Sequence, residues 1–360
     1  MPSNDPAVTG TVPYRLRRVG VVMTPAEGDP HEAEGVLNPA SGRGPDGALY
    51  LLPRLVAAGN VSRVGLARVV IEGGLPIGVE REGVVLEPDR GWERGVGNAG
   101  VEDPRVTWIP ALDLHVMTYV AYGPLGPRTA VAVSADLRDW RRLGPVLFRY
   151  QDELDMDLNL FHNKDTVFFP EPVTAPDGRE AFAVLHRPMW DLGETRPGQG
   201  VRLPAGVEDE RQSIWISYIP VDAVRADLGA LTLWEQHRFV AGPAFDFEAL
   251  KIGGGPPPLR VPEGWLVLHH GVTGVIDSAF SQQQKVNYAA GALLLDADDP
   301  SRVIARTPEP LLAPETDDER SGIVPNVVFP TAIEEIDGRH FVFYGMADSK
   351  IGVALLERTD

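Results

Sequence analysis

Five short clusters carry side chains whose types and spacing could do chemistry. The first is Glu102-Asp103-Pro104-Arg105, where two acids meet a proline and an arginine at the entrance to an apolar run. Pro104 fixes its own φ and biases Asp103 towards an extended backbone. A carboxylate held rigidly at a strand entrance suits a general acid. The same residues serve equally as a turn closed by an ion pair from Glu102 or Asp103 to Arg105. The second cluster is His162-Asn163-Lys164-Asp165, and the third is His186-Arg187-Pro188. The fourth is Lys251 followed by Gly253-Gly254-Gly255, and the last is His269-His270-Gly271. A glycine-rich turn beside a lysine could aim backbone N–H groups and an ammonium at one anion. Together Lys164, Arg187, Lys251 and His270 read as a positive cluster for an oxyanion or phosphate. One by one they are equally a solvated lysine, a tight turn or a satisfied core histidine.

Composition removes several other chemistries. The 360 residues hold 33 Lys+Arg against 51 Asp+Glu, a net charge of −18. Such a surface repels nucleic-acid backbones and anionic membranes, so neither is an expected partner. There is no cysteine, hence no thiol nucleophile, disulfide or thiolate-bound metal. No histidine pair has the spacing of a zinc helix, and His269 and His270, adjacent on a strand, point to opposite faces. There is no Gly-x-Ser-x-Gly elbow, no Walker loop and no dinucleotide fingerprint. The expectation is an enzyme or binding protein with no metal and no cofactor. The first residues show no basic and apolar leader, and no apolar run approaches the roughly 18 residues of a membrane span. A cytoplasmic protein is expected.

The elements that must position these clusters are strands. Apolar segments such as 49–53, 64–71, 105–109, 115–122, 129–134, 180–186, 213–219, 264–270, 287–295, 327–333 and 340–344 are short and rich in Val, Ile, Tyr, Phe and Trp. The 38 glycines and 33 prolines fall between them as turns. Only 208–212 and 221–227 suggest helices. Three stretches, 131–148, 214–240 and 290–314, repeat a strand, an acidic turn and a strand, with a looser copy at 62–87. Repeats about 70 residues apart suggest an all-β, five-bladed β-propeller, whose strand ends converge on a central channel. A large sandwich is the alternative.

Ordered motifs then point to a family. They include Asn38-Pro39-Ala40, 62–67, Gly100 to Thr107, Ser134 to Trp140, Asn163 to Pro170, His186-Arg187-Pro188, Gly253 to Pro258, His270-Gly271-Val272, 291–300, 324–331 and Tyr344 to Asp348. In this order, over roughly residues 35–355, the chain resembles glycoside hydrolase family 130, the mannoside phosphorylases and related β-mannosidases. The resemblance implies a five-bladed propeller and makes Asp103 the general acid, acting through a hydroxyl of the mannosyl unit. Inorganic phosphate is then a co-substrate that attacks the anomeric carbon with inversion, giving α-mannose 1-phosphate. Asn163, Lys164, Arg187, Lys251 and His270 would hold that phosphate. Asn38, Arg54, Tyr288, Phe329 and Asp348 match positions near the sugar, and Glu102, Asp165 and His186 join them on the substrate side.

The resemblance also leaves alternatives. An inverting β-mannosidase would need a second carboxylate to activate water, for which Glu171 and Asp165 stand as candidates. A glycan-binding propeller without catalysis is the third reading, disfavoured by the intact Asp103 motif. His162 stands where an arginine helps to bind phosphate, and His269 where a tyrosine is usual. Residues 191–212 look like an insertion that shapes the acceptor subsite. The expected organisation is one catalytic domain over 1–360, with 1–30 as an N-terminal extension or closing segment. A homo-oligomer stays open.

Overall fold

Tight turns set the strand spacing. Gly73 and Gly74, both at positive φ, close the hairpin between Val61–Glu72 and Leu75–Leu86. Asp337 and Gly338 do the same between Val328–Ile336 and Arg339–Met346. Two-residue loops with both residues left-handed match the native strand twist. Our computed structural model describes residues 10–95, 97–192, 198–276 and 283–359.

The strands form all-β architecture in five four-stranded antiparallel units, taken in chain order. The first is Gly35–Arg43, Leu49–Ala57, Val61–Glu72 and Leu75–Leu86, and the second is Ala99–Ile109, Leu114–Gly123, Gly126–Ser134 and Arg141–Pro145. A short parallel pairing of Val61-Ser62 with Ala99-Gly100 joins these two into one sheet. The third is His162–Phe168, Glu180–Met189, Ile214–Pro220 and Leu233–Ala241. The fourth is Lys251–Gly254, Gly264–Val275, Lys285–Leu295 and Val303–Arg306. The fifth is Val328–Ile336, Arg339–Met346, Lys350–Arg358 and, from the other end of the chain, Tyr14–Met23.

Five apolar clusters hold these units together, each between one unit and the next. Val101, Met117 and Tyr119 of the second unit meet Ala40, Tyr50 and Val64 of the first. Phe168, Phe182 and Trp215 of the third meet Val116 and Val131 of the second. Val167 and Leu185 meet Ile252 and Trp265 between the third and fourth, and Leu266 and Leu294 meet Val328 and Val342 between the fourth and fifth. The last joins Phe341 and Val353 of the fifth unit to Val36 and Leu51 of the first. A four-stranded sheet has two apolar faces, and this cyclic stacking buries both. The acidic repeats lie in the outer hairpins. Trp140 Nε1 donates to the Leu137 carbonyl and Trp234 Nε1 to the Leu231 carbonyl, each at 2.9 Å.

The first strands of the first four units pack against one another in chain order, and that of the fifth unit packs against that of the first. Three of these strands share a defect, a slip in pairing with a left-handed residue at it. Their pairing slips between Leu37 and Ala40, between Glu102 and Arg105, and between Lys164 and Val167. At each slip one residue is left-handed: Asn38 at φ 42°, Asp103 at 45° and Asp165 at 53°. The extended Asp103 expected from Pro104 is therefore not found. A bulge needs a residue that tolerates the left-handed region, and Asn and Asp do so best after glycine.

Two further expectations change. Residues 221–227 do hold a helix, Val221–Ala226, but 208–212 do not. There Arg211 is drawn onto Asp209, and Gln212 bridges to Lys251. The expected glycine-rich turn is a strand, Lys251–Gly254. Its glycines permit close approach: a Cβ on Gly253 would run into Asp165 Oδ2 and the His270 ring. Of the 191–212 stretch, residues 193–197 lie outside the described residues. The rest is closed on itself by an Asp191–Val201 bridge, with Leu203 and Val207 against the apolar cluster between the second and third units.

Tyr14–Met23 pairs along Lys350–Arg358 from Tyr14↔Arg358 to Met23↔Ile351. Leu16, Val22 and Met23 are buried there, each contributing about 1.5–3 kcal/mol. That sum reaches the low end of the roughly 5–15 kcal/mol that keeps a domain folded. Deleting the chain through Met23 should abolish cooperative thermal unfolding and leave aggregated protein. A soluble variant with an unchanged melting curve would mean that this strand does not complete the fifth unit.

Candidate active site

The left-handed bulges bring polar side chains from separate units into one buried centre. Arg54, on the second strand of the first unit, is its organiser. Its Nη1 donates to Asp103 Oδ1 at 3.1 Å, its Nη2 to Glu102 Oε1 at 2.8 Å and Asn60 Oδ1 at 3.1 Å, and its Nε to Ser62 Oγ at 2.8 Å. Asn38 Nδ2 adds a 2.8 Å hydrogen bond to Asp103 Oδ1. Lys164 Nζ lies 3.5 Å from Glu102 Oε2. Gly345 is required beside them, because a Cβ there would overlap Asn38 Oδ1.

A second buried group adjoins through the third and fourth units. Arg187 Nε donates to Asp165 Oδ2 at 2.5 Å, and His270 Nε2 lies 3.4 Å from the same oxygen. His270 packs at 4.3 Å on Phe329 and at 5.9 Å on Tyr288, whose ring also lies 5.6 Å from Lys251 Nζ. Arg105 spans both groups. Its Nε donates to the Gly255 carbonyl at 3.0 Å, and its guanidinium lies 5.4 Å from the Phe329 ring. Arg105 touches the carbonyls of Asp103 and Pro104, not the neighbouring carboxylates, so the expected turn ion pair is absent. Sequence reasoning treated Arg105 as that turn partner and missed its place between the two groups; an arginine directly after Asp-Pro, opening an apolar run, was the only signal.

Charge decides what these groups can do. Burial pushes the Asp103 carboxyl up, but Arg54, Lys164, Arg105 and the Asn38 hydrogen bond together hold it below its ordinary range. Burial likewise opposes ionisation of Asp165, and the guanidiniums of Arg187, which donates to it, and Arg105 still hold it far down. Asp348 goes the other way. Burial, with Asp103 and Glu102 nearby, raises it to about 6 against the pull of Arg54 and Lys164. Burial pushes His270 well down, and Arg187, Lys251 and Arg105 add to it against the pull of Asp165, so it is a neutral imidazole and not a member of the positive cluster. Five buried side-chain atoms of this region have no hydrogen-bond partner among the described residues: Asn38 Oδ1, Arg105 Nη2, Asn163 Oδ1, Arg187 Nη1 and His270 Nδ1. A buried polar atom left unmatched costs about 1–3 kcal/mol, and a cluster of them marks where a polar ligand would supply partners.

The sequence profile of a family described as beta-1,4-mannooligosaccharide phosphorylase matches residues 59–359. The chain belongs to glycoside hydrolase family 130. It is an enzyme of that family. It is 32% identical over 265 residues to the 1,2-beta-oligomannan phosphorylase of Thermoanaerobacter sp., covering 72% of this chain and 69% of that one. It is 38% identical over 255 residues to the beta-1,4-mannooligosaccharide phosphorylase of Ruminococcus albus, covering 70% and 61%. Its fold is similar to that of the Listeria innocua beta-1,2-mannobiose phosphorylase in complex with beta-1,2-mannobiose. The TM-score is 0.68 at 21% identity, with 96% of both chains covered.

Against this family background, Asn38, Arg54, Glu102, Asp103, Lys164 and Asp348 gather in the first group. Asp165, Arg187, Lys251, His270, Tyr288 and Phe329 gather in the second. His186 does not reach them; it is buried behind Asn163 in the third unit. His162 holds the Leu125 carbonyl at 2.9 Å. His269 points away from His270, to Glu248 Oε1 at 2.8 Å. Glu171 belongs elsewhere: with Trp108, Pro257 and Glu334 it lines a cavity of about 720 Å³ to which none of the two groups contributes.

Asp348 gives a pH test. Its native carboxyl holds a proton up to about pH 6, whereas an unfolded aspartate releases it near ~4. The wild type therefore loses stability as pH rises through that window. Asp348→Asn should raise the melting temperature at pH 7 and leave it near wild type at pH 4. An equal shift at both pH values would show that Asp348 is not held protonated.

Proposed function

We propose that the chain is an inverting β-mannoside phosphorylase built as a single five-bladed β-propeller. Inorganic phosphate attacks the anomeric carbon of a β-linked mannosyl unit. The C1–O bond breaks, the leaving oxygen takes the proton of Asp103 through a mannosyl hydroxyl, and α-mannose 1-phosphate and the shortened sugar result. Asn38, Arg54 and Asp348 hold the sugar. Arg187, Lys164, Lys251, Asn163 and His270 hold the phosphate. The relatives named for β-1,2 and β-1,4 substrates support the mannoside class without choosing a linkage.

The carrying observation is Arg187. It is buried, fixed through Nε by Asp165, and its Nη1 is unmatched. A guanidinium pinned on one edge and open on the other suits an oxyanion. Phosphate is already a nucleophilic anion and needs no general base. Hydrolysis needs one, with a pKa near the working pH. Asp165 is held too low by Arg187 to take that proton, and Glu171 lines a different cavity. The hydrolytic reading thus lacks both of its candidate bases.

The depressed Asp103 fits the same scheme. An acid must carry a proton, and Lys164 and Arg105 are among the cations that remove it. A phosphate dianion arriving beside them offsets their field and returns proton affinity to Asp103.

Two measurements test this. The purified enzyme is incubated with β-1,2- and β-1,4-mannobiose, with and without phosphate, and mannose 1-phosphate and mannose are assayed separately. Phosphate-dependent mannose 1-phosphate is expected; free mannose formed equally without phosphate would establish a hydrolase. Asp103→Asn keeps a residue that accepts the left-handed bulge. It should therefore stay folded and lose about a thousand-fold in kcat. Near wild-type turnover would remove Asp103 from the acid role.

A further inference from the structure

A buried chain of hydrogen bonds leads from Asn163 into the third unit. Asn163 Nδ2 lies 3.0 Å from His186 Nδ1, and His186 Nε2 lies 2.8 Å from Ser217 Oγ. Ser217 Oγ lies 2.8 Å from His237 Nδ1, and His237 Nε2 lies 2.9 Å from the Arg149 carbonyl oxygen. None of the four residues is more than 2% exposed. Phe148 and Trp234 pack around the rings. Burial pushes His186 well down and His237 to about 4, so both rings are neutral at pH 7.

The far end sets the direction of every bond. A carbonyl only accepts, so His237 carries its hydrogen on Nε2 and offers a lone pair at Nδ1. Ser217 has one O–H and donates it there. The Ser217 oxygen then accepts, which places the His186 hydrogen on Nε2 and a lone pair on Nδ1. Asn163 has to donate its N–H to that lone pair. The end of its amide left over is the carbonyl, and Asn163 Oδ1 is the buried atom with no partner. This orientation follows from the relay and not from the placement of the amide atoms alone.

We infer that His186, Ser217 and His237 are positioning residues that fix Asn163 as a hydrogen-bond acceptor in the phosphate site, so that the site selects an oxyanion bearing a proton. This rests on the phosphorolytic reading above. Lys164, Arg187 and Lys251 attract any tetrahedral dianion. Hydrogen phosphate keeps a P–OH at neutral pH and can donate it to Asn163 Oδ1. Sulfate matches it in shape and charge but has no proton, and a buried lone pair facing its oxygen repels it. Asn163 thus discriminates between two anions that the cations cannot tell apart.

The test is competition between the two anions at pH 7. In the wild type, sulfate should inhibit phosphorolysis with a Ki at least tenfold above the KM for phosphate. Ser217→Ala cuts the relay, frees the amide to turn its N–H to the anion, and should bring the two values to within about threefold. A simple loss of packing would weaken both anions together and leave their ratio unchanged. Equal affinity in the wild type overturns the inference, as does a folded Ser217→Ala variant with wild-type selectivity. Absence of any phosphate-dependent product overturns the phosphorolytic reading as well, whereas product formation with equal sulfate affinity overturns the relay alone.

Discussion

Ionised groups leave water only if they neutralise one another. The centre of this protein gathers the cations Arg54, Arg105, Lys164, Arg187 and Lys251 with the carboxylates of Glu102, Asp103, Asp165 and Asp348. Each strong cation is tied before any ligand arrives: Arg54 to Glu102 and Asp103, Arg187 to Asp165, and Arg105 to the Gly255 carbonyl. These ties leave defined atoms unmatched instead of leaving whole charges unpaired. The site is thereby held in place by its own side chains, as the proposed phosphorolysis requires.

That electrostatic demand explains the backbone. A regular strand would alternate its side chains between two apolar faces and carry none to the strand's inner edge. The bulges at Asn38, Asp103 and Asp165 break the alternation and turn one polar side chain per unit onto the shared centre. The glycines opposite remove the Cβ atoms that would fill the space. Gly253 makes room for Asp165 and His270, and Gly345 for Asn38. Two departures from ideal strand structure, repeated across units, thus create one site.

The same departures governed what could be read in the sequence. The second and third strands of the first four units were legible from their Val, Ile and aromatic content, and so was the acidic outer turn with its tryptophan, whereas Lys350–Arg358 and Tyr14–Met23 of the fifth unit were not. The first strands of the first, third and fourth units were not: Gly35–Arg43 contains Asn38-Pro39, His162–Phe168 opens on four polar residues, and Lys251–Gly254 is half glycine. Those are the strands whose composition serves the site, so their local signals contradict their structure. Residue types announced the chemistry at Asp103, Lys164, Arg187 and Lys251. Composition could not announce charge state. His270 looks cationic in the sequence and is neutral because it is buried, with Arg187, Lys251 and Arg105 outweighing what Asp165 returns. His186 looks like a ligand residue, and only the packing of the third unit shows that it serves Asn163 from behind.

The phosphorolytic reading, in which Asp103 is the acid, also accounts for an apparent mismatch: the cations around that carboxyl hold it below its ordinary range. With no phosphate bound, Arg54, Lys164 and Arg105 keep Asp103 ionised, and Asp165 is too weak a base to activate water. A sugar bound alone then meets neither an acid for its leaving oxygen nor a base for its attacker. Phosphate supplies the nucleophile and, by offsetting the cations, restores the acid in the same step. A surface of net charge −18 keeps the anion's local concentration low outside, so the positive centre has to provide the attraction by itself. Tying acid strength to occupancy of the anion site is how such a centre would spend glycosidic bonds on sugar phosphate and not on water.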